Sequence, residues 1–176
     1  PETMLEDLAK LKPAFGPDSY VTAGNASGVV DGAAAVVVAS AEWAVEHGKK
    51  PIGKVISWGI VGVEPAYMGI GPVPASKLAL QKAGWGLEDV DLIEVNEAFA
   101  GQYLAVEREL GLDRERTNVN GGSIALGHPL GATGTRLVYT LLKELNRRGG
   151  GRGLATACIG GGQGIAMCVE VDANVI

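Results

Sequence analysis

GLATACIGGGQGIAMCVEV (residues 153–171) reads as two β-strands folded back on each other. Two runs of small and β-branched residues, GLATACIG (153–160) and GIAMCVEV (164–171), flank the triple glycine Gly160–Gly162, and glycine is the residue that turns a chain most freely. Working upstream, a periodic stretch at about 129–147 places Leu137, Leu141 and Leu145 on one side and ends in Arg147 and Arg148, the pattern of an amphipathic helix with its cations at the C-terminus. DVDLIEVN (89–96) predicts a strand and EAFAGQYLAVEREL (97–110) a helix closed by Gly111; a further helix is expected over 74–83, stopping at Gly84. A strand is expected at about 52–63, and residues 64–72 form a Gly/Pro loop containing YMGIGP. Before these come a short helix at 41–48 ending on Gly48 and a small-apolar run, Ala33–Ala39, that reads as a strand buried on both faces. Residues 1–32 are irregular, with an amphipathic start (Leu5, Leu8, Leu11) broken by Pro13 and Pro17. The alternation predicts an α/β fold: a mixed five-stranded sheet with helices on its faces, closed by the C-terminal hairpin.

Composition narrows the function classes. The 176 residues are 47% hydrophobic and 20% charged, far from the signature of disorder. A net charge of -5 argues against nucleic-acid or anionic-membrane surfaces, which need clustered Lys and Arg. No run approaches the ~20 apolar residues that span a bilayer. Two cysteines, Cys158 and Cys168, are too few for a disulfide framework and lack zinc-site spacing, so a reducing compartment, the cytoplasm, is the expectation.

VNGGSIALGHPLGATGT (119–135) is the most unusual segment. It lacks the Gly-Lys-Ser/Thr of a phosphate loop, and neither GIGPVP (69–74) nor GGGQG (160–164) completes a dinucleotide fingerprint. One reading makes Pro129 the first helical residue with His128 as its cap. Another makes His128 a working residue, since flanks without side chains leave an imidazole open to a ligand. Asn96, between a strand and a helix, is read as an N-cap or as a polar group of a site. Cys158, just before the glycine turn, is either inert or a nucleophile or acid/base beside backbone amides. Cys168, mid-strand, reads as packing, and His47, near a helix end, as a surface residue. Asn96, His128 and Cys158 all fall at or beyond strand ends, which in layered α/β proteins converge on one crevice. An amide, an imidazole and a thiol there suit acyl transfer, in which an oxyanion is held and protons are moved.

VNEAFA (95–100), NGGSIALGHPLGATG (120–134) and CIGGGQG (158–164) resemble the C-terminal signatures of the thiolases, and TAGNASG (22–28) and MGIGP (68–72) resemble that family's coenzyme A and acyl-pocket segments, in the family's order. The resemblance implies the C-terminal half of an α-β-α-β-α sandwich: residues 1–29 as the end of a loop region contacting CoA, 30–50 as the last segment of the N-terminal domain, and 51–176 as the C-terminal domain. It implies reversible Claisen condensation of two acetyl-CoA, or thiolysis of acetoacetyl-CoA, with CoA thioesters as substrates and no cofactor required. His128 resembles the residue that activates the nucleophilic cysteine and donates to the thioester oxyanion, and Asn96 the holder of a water that completes that oxyanion hole. Cys158 resembles the acid/base cysteine, and the Gly160 amide a donor of a second oxyanion hole. Ser27, with Ala23 and Gly28, looks like the pantetheine contact, Ala98 and Phe99 like the tunnel wall, and Met68 like the residue that narrows the acyl pocket. The family's acyl-accepting cysteine lies in an N-terminal half that this sequence does not contain, so that half, on the same or a separate chain, is the implied partner, within a dimer or tetramer. Val30 stands where the family usually has Asn. Alternatives are a catalytically inactive CoA-binding or structural fragment and a 3-ketoacyl-CoA thiolase of longer-chain specificity. The related ketoacyl-carrier-protein synthases use a cysteine with two histidines, and Asn96 stands where the first histidine would be.

Overall fold

The computed structural model describes residues 2–172. After a single turn α1 (Leu5–Leu8) and a short α2 (Ala41–Glu46), the chain forms β1 (Lys54–Gly62), a 3-10 helix (Pro65–Ile70), α3 (Pro72–Ala83), β2 (Leu92–Val95), α4 (Ala100–Leu110), α5 (Ser123–Leu126), α6 (Leu130–Arg147), β3 (Gly151–Ile159) and β4 (Gln163–Val171). Gly84 and Gly111 end α3 and α4 in the left-handed conformation, with φ of 71° and 69°, as expected of glycines just past a helix.

The sheet has the order β1-β4-β3-β2, with β2 parallel to β3 and the other pairs antiparallel. It has four strands among the described residues, one fewer than the sequence suggests. The missing one is Ala33–Ala39, which makes no backbone hydrogen bond and leaves Val37 and Val38 more than 80% exposed. A strand exists only where a neighbour pairs its amides and carbonyls. Only the residues just before the run touch the histidine loop: a Cβ on Gly32 would meet the Pro129 ring at 2.7 Å, and one on Gly127 would meet Val30 at 2.5 Å, while residues 33–39 themselves are exposed. The outer edge of β2 is already taken, because Ile93 N donates to Arg116 O and Asn118 N donates to Ile93 O.

Alternate residues of the inner strands feed two cores, as the two-residue period of a strand requires. Ile93, Val95, Leu154, Ala166 and Cys168 pack with Val73, Ala79 and Leu80 of α3 and Val106 of α4. Leu92, Ala155, Val169 and Val171 pack with Leu137, Leu141, Leu142 and Leu145 of α6 on the opposite face. Burying each such leucine is worth about 1.5–3 kcal/mol. Cys168 is wholly buried in the first core, which fits its reading as packing. α3 approaches closely enough that a Cβ on Gly59 of β1 would strike the Ala75 carbonyl, and Ser57 Oγ donates to Ala79 O at 2.6 Å.

Candidate active site

β2 delivers Asn96. Its amide donates to Thr156 O at 2.9 Å, extending the parallel ladder one residue past the strand, and its side chain is buried. It is not a helix cap, because α4 starts four residues later with Phe99 as its N-cap. Asn96 is thus a buried polar side chain and not a cap. A carboxamide in this position must find partners, since an unpaired buried polar group costs about 1–3 kcal/mol.

The histidine loop supplies one of them. Gly127, at φ 94°, takes a conformation that side chains disfavour, and His128 N then donates to Gly28 O at 2.9 Å. Helix α6 begins at Leu130, with Pro129 in the cap position and no side-chain cap. The imidazole of His128 does not cap the helix; it turns to Thr133, with Nδ1 2.6 Å from Oγ1. Thr133 Oγ1 gives its only proton to Pro129 O at 3.0 Å, so Nδ1 must carry the hydrogen between them. Nε2 is left as a bare acceptor, 3.4 Å from Asn96 Nδ2. Partial burial and the nearby Arg136 cation hold the imidazole below its ordinary pKa, so it is neutral and basic at pH 7.

Behind this pair stands a polar layer that sequence reasoning missed. Ser123 Oγ donates to Asn96 Oδ1 at 2.6 Å, Arg136 Nη2 donates to Ser123 Oγ at 3.1 Å, and Arg136 Nη1 lies 3.4 Å from Glu94 Oε2. The available signals were a glutamate between the apolar Ile93 and Val95 and an arginine one residue before the apolar Leu137 of α6. Glu97 accepts from Asn118 Nδ2 and from Ile124 N, and Asn118, at φ 50°, also bonds both backbone groups of Val95 through its side chain.

Burial outweighs the attraction of Arg136 and lifts the Glu94 carboxyl to about 7. Between pH 4.5 and 7 the folded chain thus keeps a proton that the unfolded chain has released. Its stability should fall by about 3 kcal/mol as pH rises through that window. Urea titrations at stepped pH should show this decline, and Glu94→Gln should flatten it; an equally steep decline in the variant would count against the assignment.

The other candidates surround the pair unevenly. Ser27 N donates to Ala98 O at 3.0 Å, Ala26 bridges Phe99, and Ala100 N donates to Asn25 O, so the segment ending in Gly28 lies along the start of α4 and reaches His128. Ala23 lies in the preceding turn, closed by Asn25 N donating to Thr22 O. Met68 lies in the 3-10 helix, which is set close to α4: a Cβ on Gly69 would meet Gln102 Cγ at 2.8 Å. Among the described residues no hydrogen bond joins Ala23 or Met68 to the Asn96–His128 pair. Cys158 lies in β3 two residues beyond Thr156, whose carbonyl receives the Asn96 amide, and pairs across the hairpin with Gly164. Its thiol is half-buried, and burial raises its pKa. Gly160 stands at the open turn, where a Cβ would meet nothing within 4 Å. His47 is exposed at the end of α2, stacked on Trp43.

Comparison with known proteins gives this geometry a family. Residues 49–171 match the profile of the thiolase C-terminal domain, and residues 1–42 match that of the thiolase N-terminal domain. The chain belongs to the thiolase family. It is 57% identical to the human mitochondrial 3-ketoacyl-CoA thiolase over 98% of its own length and 44% of that protein's, and 56% identical to the acetyl-CoA acetyltransferase of Shinella zoogloeoides over 94% and 42%. The crystal structure of the human thiolase in complex with CoA superposes with a TM-score of 0.94 at 57% identity, covering 97% of this chain and 43% of that one. That of the Bacillus anthracis acetyl-CoA acetyltransferase does so with a TM-score of 0.93 at 53% identity, over the same shares of the two chains. The chain thus spans less than half the length of the thiolases it matches. Among the described residues no helix is long and apolar enough to cross a membrane.

Proposed function

We propose that this chain supplies the acid/base and oxyanion groups of a short-chain thiolase, an acetyl-CoA C-acetyltransferase, working with a nucleophilic cysteine carried on sequence outside these residues. The observation that carries the reading is the neutral His128 whose bare Nε2 faces the Asn96 carboxamide. In this scheme Nε2 takes the proton of the attacking cysteine thiol, and the same nitrogen, now bearing hydrogen, donates to the thioester oxygen as negative charge develops there. The Asn96 amide, directly or through a water, is the second donor. The 3.4 Å separation of the pair is loose enough for an entering group to displace it.

Cys158, as thiolate, would take the proton from the acetyl methyl group and form the enolate, and in the reverse direction would take the proton of the CoA thiol. A thiol suits that exchange because its partner is a thiol of similar pKa. The Gly160 amide would hold the second oxyanion. Ser27, Gly28, Ala98 and Phe99, which the backbone bonds bring together beside His128, form the group proposed to receive the pantetheine arm, with Ala23 in the turn before them. Met68 would limit the acyl chain. Two unpaired cysteines fit a reducing compartment.

Relatives named acetyl-CoA acetyltransferase and 3-ketoacyl-CoA thiolase match almost equally well, so a longer-chain thiolase is the second reading. Thiolysis of 3-ketoacyl-CoAs from four to sixteen carbons, measured with the nucleophile-bearing half supplied, separates the two. The expected result is kcat/KM greatest for acetoacetyl-CoA; a maximum at long chains would overturn the short-chain assignment. The 176-residue chain alone should show no turnover.

A further inference from the structure

The hydrogen bonds behind the Asn96–His128 pair run in one direction. Ser123 is completely buried, so its hydroxyl proton must find an acceptor. Arg136 can only donate, and it already points Nη2 at Ser123 Oγ, which leaves Asn96 Oδ1 as the acceptor for that proton. With Oδ1 so engaged, the carboxamide can turn only its NH2 toward His128 Nε2. At the other end of the layer, Thr133 holds the hydrogen on Nδ1. Arg136 in turn is fixed by Glu94, from the same four-residue strand that leads into Asn96.

We infer that Arg136, anchored on Glu94 and acting through Ser123, is a positioning residue: it sets which end of the Asn96 carboxamide faces His128 and thereby keeps the imidazole in the Nδ1–H form with Nε2 free to accept a proton. The inference deepens the proposed thiolase chemistry and rests on it for its consequence, although the polarity of the bonds stands by itself. Were the carboxamide to turn over, Oδ1 would face Nε2 and draw the hydrogen onto that nitrogen, with the Thr133 hydroxyl turning from Pro129 O to donate to Nδ1. The histidine would then enter the reaction with its basic nitrogen blocked.

The arrangement can be read without turnover, because the sequence has only two histidines and the second, His47, is exposed on the surface. In the 176-residue chain with 15N-labelled histidine, two-bond proton–nitrogen spectra above the imidazole pKa should show His128 as the Nδ1–H tautomer. Ser123→Ala should move it toward Nε2–H, and so should Arg136→Met, which keeps the aliphatic stem on the helix surface and guards against a folding defect at the buried serine. Arg136→Lys, which keeps the charge but not the fork that spans Glu94 and Ser123, should fall between. With the nucleophile-bearing half supplied, the same variants should lower kcat by about tenfold while leaving KM within about twofold. An unchanged Nδ1–H tautomer in both Ser123→Ala and Arg136→Met would overturn the inference, whatever the kinetics. A shifted tautomer with unchanged kcat would uphold the positioning and sink the thiolase role of His128.

Discussion

Replacing His128 by alanine should reduce turnover by roughly 10³-fold or more once the chain is joined to a half that carries a nucleophilic cysteine. Two losses combine at one atom. Nε2 is the only base the Asn96–His128 pair offers to an incoming thiol, and in the proposed scheme it becomes, after taking the proton, one of the two donors to the developing oxyanion. General base catalysis alone is worth about 10²–10⁴. Asn96→Ala should cost less, about 10²-fold, because it removes a donor but leaves the base. The double variant should be little worse than His128→Ala, since both residues serve the same oxygen. Single-turnover acylation by acetoacetyl-CoA would measure the step directly. Wild-type acylation rates in His128→Ala would remove the histidine from the mechanism.

The second large effect is structural. Gly164→Ala should destabilise the chain by about 3–5 kcal/mol, a sizeable fraction of the total stability of a domain this size. A Cβ at residue 164 would run into the Gly71 carbonyl, which is backbone and cannot rotate aside, and the approach is equally close from the other side, where a Cβ on Gly71 would meet the Gln163 carbonyl at 2.5 Å. Two glycines thus allow the 3-10 helix to lie on the hairpin. Gly160→Ala, four residues away in the turn, is the control: its Cβ enters open space, so the stability change should be under about 0.5 kcal/mol. Urea midpoints of the two variants would decide; equal midpoints would mean that the contact at Gly71 yields more easily than its geometry implies.

Most of the fold was legible because the signals were local. The leucine period of α6, the apolar hairpin and the glycines after α3 and α4 each act within one or two turns of chain, and all appear close to where the sequence puts them. What failed was non-local. Ala33–Ala39 has the composition of a central strand, but composition does not provide a neighbour, and among the described residues the run pairs with nothing and stays exposed. Residues 116–118, which belong to no element expected from the sequence, pair with β2, partly through an asparagine side chain that imitates a strand. The same division holds in the candidate site. Asn96, His128 and Cys158 stood out as polar or reactive groups between glycines and strand ends. Ser123, Arg136 and Glu94 did not, because each takes its meaning from a partner 13 to 42 residues away.

The seating of Gly71 on Gly164 has a mechanical side. Gly164 is the cross-strand partner of Cys158, and Gly71 N donates to Met68 O at 3.0 Å, so residues 68 and 158 are joined by three successive backbone contacts with no side chain between them. Such a linkage works like a stop, which lets the two sides part but not approach. A substituent that presses the 3-10 helix onto the hairpin is resisted at Gly164, and the push is passed to the strand that carries Cys158. A larger residue at position 68 that drove the main chain toward the hairpin would therefore be felt at position 158.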